Sequence, residues 1–226
     1  MKTVPVDEIR QDAKSYLSID DAELDKRIAS CRSMRSEHWD VLNPTSPADI
    51  DKYYSQGTMI IENLVDFNTW GHHVHFPDPE KFGKRVLDFG CGLAYTAEAM
   101  AGNGKEITIA DVPNPAFTFA KARLEKKGIP FEAVQLTGGM LPFRGTDKQF
   151  DAIFCIDVIE HIVNPVEMIW HFYTHLSTGG LLYITNLEAE DDGVHKQHII
   201  YQPPMTSKFM ELMGFEQVEQ FLWKKK

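Results

Sequence analysis

The sequence predicts an α/β fold: a doubly wound, mostly parallel seven-stranded sheet with an antiparallel C-terminal hairpin and an N-terminal helical cap. Three observations predict it. Short apolar runs alternate with helical stretches from about residue 84 onward. Such alternation implies a parallel sheet covered on both faces. The polar residues with chemical potential fall at the carboxyl ends of those runs, where open α/β sheets bind ligands. No such alternation precedes residue 80, which divides the chain into a helical region, 1–80, and an α/β domain, 81–226.

Within the first region, Asp20-Asp21 caps a helix running to about Met34, with Leu24, Ile28 and Cys31 on one face. Ser46-Pro47 starts another, serine as cap and proline at the first helical position. Ile50, Tyr53, Tyr54, Ile61, Leu64 and Val65 continue a helical stripe interrupted by Gly57. Gly71 to Pro79 reads as a linker from its prolines and glycine. Strands are expected near 85–89, 106–110, 131–136, 150–156 and 180–186, with a hairpin pair near 198–202 and 215–222. Helices are expected near 94–102, 114–127, 165–176 and 205–213. Asn164-Pro165 starts the third of these, and Gly179 ends it.

The first strand, Arg85-Val86-Leu87-Asp88-Phe89, runs into Gly90-Cys91-Gly92. The two glycines allow a sharp turn and a close backbone approach to a ligand. Asp111 follows Gly92 by nineteen residues, at the end of Ile107-Thr108-Ile109-Ala110. A carboxylate there can accept hydrogen bonds from both ribose hydroxyls. A dinucleotide site would place its third glycine at position 95, which is Tyr95. Asp88 would also repel a pyrophosphate, whereas it favours an ammonium or sulfonium group.

Asp88-Phe89-Gly90-Cys91-Gly92 resembles motif I of the class I S-adenosylmethionine-dependent methyltransferases. Four further landmarks follow in the family's order: Leu141-Pro142-Phe143, Phe150 to His161, Leu176 to Ile184 with Gly179-Gly180, and Met213-Gly214-Phe215. The resemblance covers roughly residues 84–222. It implies a Rossmann-like fold, S-adenosylmethionine as cofactor, and contacts from Asp88, Gly90, Cys91, Gly92, Asp111 and Val112. In many relatives the turn after the third strand carries an acid for the adenine amine. Here that position is Thr137, followed by Gly138-Gly139-Met140. Adenine contact is therefore expected from Thr137, Gly138, Met140 and Ile156.

The segment Asp157-Val158-Ile159-Glu160-His161 follows the fourth strand. A helical turn would put Asp157, Glu160 and His161 on one face. With His198 they resemble the Glu-x-x-Glu-His plus downstream His arrangement of metal-dependent small-RNA ribose methyltransferases, although Asp157 replaces the first glutamate. Glu-His after this strand also occurs in metal-free relatives. The reading adopted is His161 as base supported by Glu160, with no metal. His171 and His175 have a zinc-pair spacing, but Phe172 stands where His-Glu-x-x-His needs glutamate. They read as surface or half-buried helix residues. His72, His73, His75 and Trp70 border the expected site mouth, and Glu188, Glu190, Asp191, Asp192 and His195 form an acidic loop.

Composition bounds the function. At 226 residues, with 43 % hydrophobic and 25 % charged content, the chain can bury a full core. A net charge of -10 disfavours long nucleic acid or anionic membrane as partner. The terminal Lys224-Lys225-Lys226 run reads as a solvated tail. No apolar run reaches the length of a membrane span, and Met1 to Glu8 lacks the apolar core of a signal peptide. Cys31, Cys91 and Cys155 form no Cys-x-x-Cys pair, which points to a reduced cytoplasmic setting. Cys91 and Cys155 read as small lining residues. The expected activity is methyl transfer to a small-molecule acceptor, an oxygen of a hydroxyl. The alternatives are a catalytically silent cofactor-binding domain and a metal-dependent RNA ribose methyltransferase.

Overall fold

The computed structural model describes residues 6–44, 46–57, 60–69, 78–101, 104–136, 141–187, 197–198 and 207–226. Four helices open the chain: α1 (Val6–Leu17), α2 (Asp21–Leu42), α3 (Pro47–Gln56) and α4 (Ile60–Thr69). The Asp20 side chain caps α2 by accepting from the Glu23 N–H at 2.9 Å. That helix runs past the expected Met34 to Leu42 and ends on Asn43 in the left-handed region. Ser46 and Asp49 form a capping box at the start of α3. Helix α1 has no counterpart in the sequence reading.

The sheet comprises β1 (Arg85–Phe89), β2 (Glu106–Asp111), β3 (Phe131–Gln135), β4 (Phe150–Cys155), β5 (Leu176–Ile184), β6 (Phe215–Glu219) and β7 (Leu222–Lys225). Its order is β3-β2-β1-β4-β5-β7-β6. The first five strands are parallel, and β7 runs antiparallel to both β5 and β6. Helices α5 (Tyr95–Met100), α6 (Pro115–Lys126), α7 (Pro165–His175) and α8 (Ser207–Leu212) complete the chain. Asn114 and Asn164 cap α6 and α7, each followed by proline.

Strand alternation splits the core. Leu87, Phe89, Ile153 and Cys155 face Met168, Ile169 and Phe172 of α7. Val86, Ile109, Ala152 and Phe154 face the α5 and α6 side, with Ala97, Met100, Phe117 and Leu124. A third cluster joins Ile9 and Ala13 of α1 to Ile61 and Val65 of α4, and both to Leu93, Tyr95 and Phe119. The helical region is thus packed on the first βα turn.

Two expectations need correction. Gly179 does not end α7. That helix stops at His175, and Gly179, at φ +75°, lies inside β5 where the register with β4 shifts. The C-terminal lysines are not a free tail either. Lys224 and Lys225 belong to β7, and the Lys225 Nζ donates to the Tyr173 and Leu176 carbonyls at 2.7 Å each. The hairpin forms within 215–225, while residues 199–202 lie outside the described residues.

At the opposite end of β4 from the site, Asp151 accepts from the Arg85 Nη2 at 2.7 Å and the Arg85 backbone N–H at 2.9 Å. The Arg85 hydrogen bond is the main reason its carboxyl is held down at about 2. A depressed acid contributes stability above its unfolded pKa and loses it as pH falls through the folded one. We predict that Asp151→Asn destabilises the protein by about 1 kcal/mol at neutral pH, a figure limited by solvent screening of Arg85. The difference should shrink between about pH 4 and pH 2, measured by urea unfolding of both proteins.

Candidate active site

The glycine turn is built by its neighbours. Gly90 sits at φ +67°, and a Cβ there would lie 2.3 Å from Val158 Cγ2. Only glycine lets the segment after β4 close against the turn. The Gly90 and Cys91 N–H groups donate to the Ala110 carbonyl at 2.8 and 3.2 Å. The Gly92 N–H donates to Asp111 Oδ2 at 2.8 Å, and the Val112 N–H to Asp111 Oδ1 at 2.7 Å. One carboxylate therefore ties β2 to the turn after β1. Asp88 Oδ2 accepts from the Ala97 N–H at 3.0 Å. Ala94 precedes α5 without a side-chain cap, so Asp88 serves as one from inside the sheet.

Both carboxylates are buried, Asp88 at 4 % exposure and Asp111 at 9 %. Burial pushes Asp88 up to about 7, with Asp111 adding repulsion, and pushes Asp111 up to about 6. Hydrogen bonds from the turn oppose this and do not overcome it. Burial likewise raises the Cys91 thiol. Two acids so placed favour a ligand that carries positive charge and hydroxyl donors.

At the end of β4 the chain passes through Asp157, at φ +53°, into a single 3-10 turn, Ile159–His161. Asp157 is drawn to β5: Thr185 Oγ1 donates to its Oδ1 at 2.9 Å, and Asn186 Nδ2 donates to the same oxygen at 2.7 Å. The left-handed residue breaks the helical periodicity, and Asp157 meets Glu160 through a shared donor, Asn186 Nδ2, while the converging ligand atoms are those of Glu160, His161 and His198. Glu160 is 1 % exposed. Its Oε1 accepts from Asn186 Nδ2 at 2.6 Å, while Oε2 is buried without a hydrogen-bond partner among the described residues. Burial pushes Glu160 up to about 7. Ligand atoms of Glu160, His161 and His198 lie within 4.8 Å of one another, so these three can hold a metal ion. His161 Nδ1 faces the Gln197 carbonyl at 3.1 Å. The Tyr54 ring of α3 stands 5.4 Å from the His161 ring, and Gln197 Nε2 donates to the Tyr53 hydroxyl at 3.2 Å.

The structure thus brings together Asp88, Gly90, Cys91, Gly92, Asp111 and Val112 at one turn, and Glu160 with His161 at the next strand end. Ile156 is half-buried between them and packs toward the α5 side. Thr137, Gly138 and Met140 lie outside the described residues, as do Trp70, His72, His73, His75 and the loop 188–196. Cys155 is a core residue at 0 % exposure and lines no site. His171 and His175 are buried, not on the surface. Burial and the neighbouring His175 push His171 down to about 4. Asn186 and Gln197 were missed by the sequence reading. Asn186 had one signal, a polar residue just beyond the apolar run of β5.

The order of the sheet, its antiparallel last strands and the carboxylate-lined glycine turn define a class I S-adenosylmethionine-dependent methyltransferase. The sequence profile of the methyltransferase domain family matches residues 66–221, and the chain belongs to that family. It is 24 % identical over 210 residues to a ubiquinone biosynthesis O-methyltransferase of Dinoroseobacter shibae, covering 85 % of this chain and 82 % of that protein. The same-named protein of Glaesserella parasuis serovar 5 is 34 % identical over 109 residues, 47 % of this chain. The chain spans 46 % of that relative's length. Among solved structures, a Bacillus halodurans protein assigned as a methyltransferase superposes with a TM-score of 0.50 at 25 % identity, over 63 % of this chain and 70 % of that one. No helix among the described residues is long and apolar enough to cross a membrane.

The two raised carboxyls have a consequence for the free protein. An acid whose folded pKa lies above its unfolded value loses stability as pH rises between the two. For Asp88 that window runs from about 4 to about 7. Asp88→Asn keeps an acceptor for Ala97 and removes the charge. The variant should gain stability relative to wild type as pH rises from 5 to 8, read by urea unfolding without ligand. A constant difference across that range would show that Asp88 does not titrate as described.

Proposed function

We propose that this protein transfers a methyl group from S-adenosylmethionine to a hydroxyl oxygen of a small molecule. The helical region, residues 1–80, caps the pocket of the methyltransferase domain, residues 81–226. The carrying observation is the pair Glu160 and His161, one buried and one half-buried, at the strand end beside the glycine turn. The relatives named as O-methyltransferases support the oxygen assignment.

The chain's residues fit the cofactor. Asp88 and Asp111 are buried acids raised by desolvation, which a cationic ligand relieves. Gly90 and Gly92 leave backbone accessible at the turn, with Cys91 between them. Asp111 retains lone pairs for ribose hydroxyls beyond those its two backbone donors use. When bound, S-adenosylmethionine supplies a methyl group made electrophilic by the sulfonium. Thr137, Gly138, Met140 and Ile156 are the residues proposed for the adenine side.

His161 serves as the base. The Gln197 carbonyl can only accept, so its 3.1 Å contact with Nδ1 favours the tautomer protonated there, in which Nε2 is the basic nitrogen for the hydroxyl proton. Glu160, oriented by Asn186, stabilises the imidazolium that forms. Tyr54 closes the pocket from the cap side and restricts water. A second reading is favoured by one observation: the ligand atoms of Glu160, His161 and His198 converge, as a divalent ion would require.

Three measurements separate the possibilities. Asp111→Ala should weaken cofactor binding by about 1.5–3 kcal/mol, the loss of hydrogen bonds to a charged acceptor. Calorimetry showing unchanged affinity would remove the cofactor assignment. On a panel of hydroxylated metabolites followed by mass spectrometry, His161→Ala should lower turnover about 10²–10⁴-fold with cofactor affinity intact. Prolonged chelation should leave the wild type active. Loss of activity on chelation, restored by magnesium, manganese or zinc, would replace the base with a metal.

A further inference from the structure

Arg123 lies on α6, outside the carboxylates described above, yet it reaches the cofactor turn. It is 2 % exposed. Its Nε donates to the Leu93 carbonyl at 3.2 Å, directly after Gly92. The guanidinium stacks 4.0 Å over the Tyr95 ring, the side chain standing where a dinucleotide turn has its third glycine. Nη1 pairs with Glu98 of α5. The same cluster continues to the N-terminal helix. Lys127 pairs with Glu98 at 2.6 Å and with Glu8 of α1, and Asp12 of α1 lies 3.7 Å from Lys127 and 4.0 Å from Arg123. Leu93 and Tyr95 also share their apolar cluster with Ile9 and Ala13 of α1.

We infer that Arg123 is a positioning residue for the cofactor turn, and that through it the docking of helix α1 is coupled to cofactor affinity. The inference rests on the proposal that the cofactor binds at the glycine turn. The Arg123 bond to Leu93 holds the backbone just past Gly92, so displacement of Arg123 shifts the turn. Arg123 is held in turn by Glu98 and by the Glu8 and Asp12 side of α1. The cluster is not saturated. Asp12 Oδ2, Arg123 Nη2 and the Tyr95 hydroxyl are buried without hydrogen-bond partners among the described residues. Incompletely paired buried charge carries a desolvation cost that offsets part of the apolar contact of Ile9 and Ala13. Docking of α1 is therefore a modest free energy that ligand binding can shift. Coupling of this kind is reciprocal: if docked α1 tightens cofactor binding, bound cofactor tightens α1 by the same factor.

The test uses S-adenosylhomocysteine and needs no methyl acceptor. Wild type, Arg123→Met, Arg123→Lys and Glu8→Lys are compared by calorimetry and by hydrogen exchange of residues 6–17. Arg123→Met should weaken binding about tenfold, within the usual range of coupling between sites, and Arg123→Lys should recover part of it. Glu8→Lys changes only a half-exposed residue on α1 and should still weaken binding with the melting temperature of the α/β domain preserved. In wild type the ligand should slow exchange across α1, and in Arg123→Met it should not. If Arg123→Met does not fold, Glu8→Lys decides. A folded Glu8→Lys protein with wild-type affinity and wild-type ligand-dependent protection of α1 overturns the inference. Wild-type binding weakened by Asp111→Ala but untouched by the Arg123 and Glu8 variants overturns it while leaving the cofactor assignment standing. A wild type that does not bind the ligand removes both.

Discussion

Burial of two carboxylates at neighbouring strand ends is the constraint on which the rest of this structure turns. Asp111 accepts the Gly92 and Val112 N–H groups, and Asp88 accepts Ala97. Each acid therefore shapes backbone as well as lying where a ligand would sit. Neither is comfortable there, since desolvation raises both. A protein optimised for stability alone would replace them with neutral acceptors. Retaining ionisable groups at the carboxyl ends of β1 and β2 makes sense when a positively charged partner completes the site.

The helical region bears directly on that turn. Leu64 of α4 lies where a Cβ on Gly92 would come within 3.3 Å, and Val158 crowds Gly90 from the other side. Gly90 is thus required by its neighbour Val158, and Gly92 is favoured by its φ of +51°, independently of any ligand. Aromatic contacts extend the same region toward the second half of the site. Trp39, Tyr53 and Tyr54 pack edge to face in sequence from α2 to α3, with Tyr54 reaching His161. The helical region, the turn and the strand ends are packed together, so motions of one element are felt by the others.

Much of this was legible in the sequence for a physical reason. Central parallel strands are apolar on both faces, so β1, β2 and β4 stand out as short unbroken runs. Helix starts at Asp20, Ser46, Asn114 and Asn164 carry local capping chemistry. What failed was decided by tertiary contact or by left-handed backbone. Asp157 at φ +53° breaks the spacing that placed it with Glu160. Helix α1 has a short, charge-rich sequence whose partners, Lys127 and Arg123, lie more than a hundred residues on. The burial of His171 and His175 depends on α7 packing under residues 141–149, which no helical periodicity encodes. Lys225 is invisible as a sheet residue because its role is to bond carbonyls at the end of α7.

Asp157 and Asn186 show how the site half at β4 is held. Adjacent strands each end on a non-glycine residue in the left-handed region, at φ +53° and +56°. Asp and Asn are the non-glycine residues that enter this region most readily, because their short polar side chains hydrogen-bond locally. The two are tied to each other, with Thr185 Oγ1 and Asn186 Nδ2 converging on Asp157 Oδ1. Asn186 Nδ2 also donates to Glu160 Oε1, while Glu160 Oε2 is buried without a hydrogen-bond partner among the described residues. These hydrogen bonds give the buried acid a fixed orientation. A proton on His161 or a bound cation would satisfy that oxygen equally well by electrostatics. A hydroxyl acceptor would lose a proton as the methyl arrives, and for such a reaction an imidazole beside a buried carboxylate is a group that can take it.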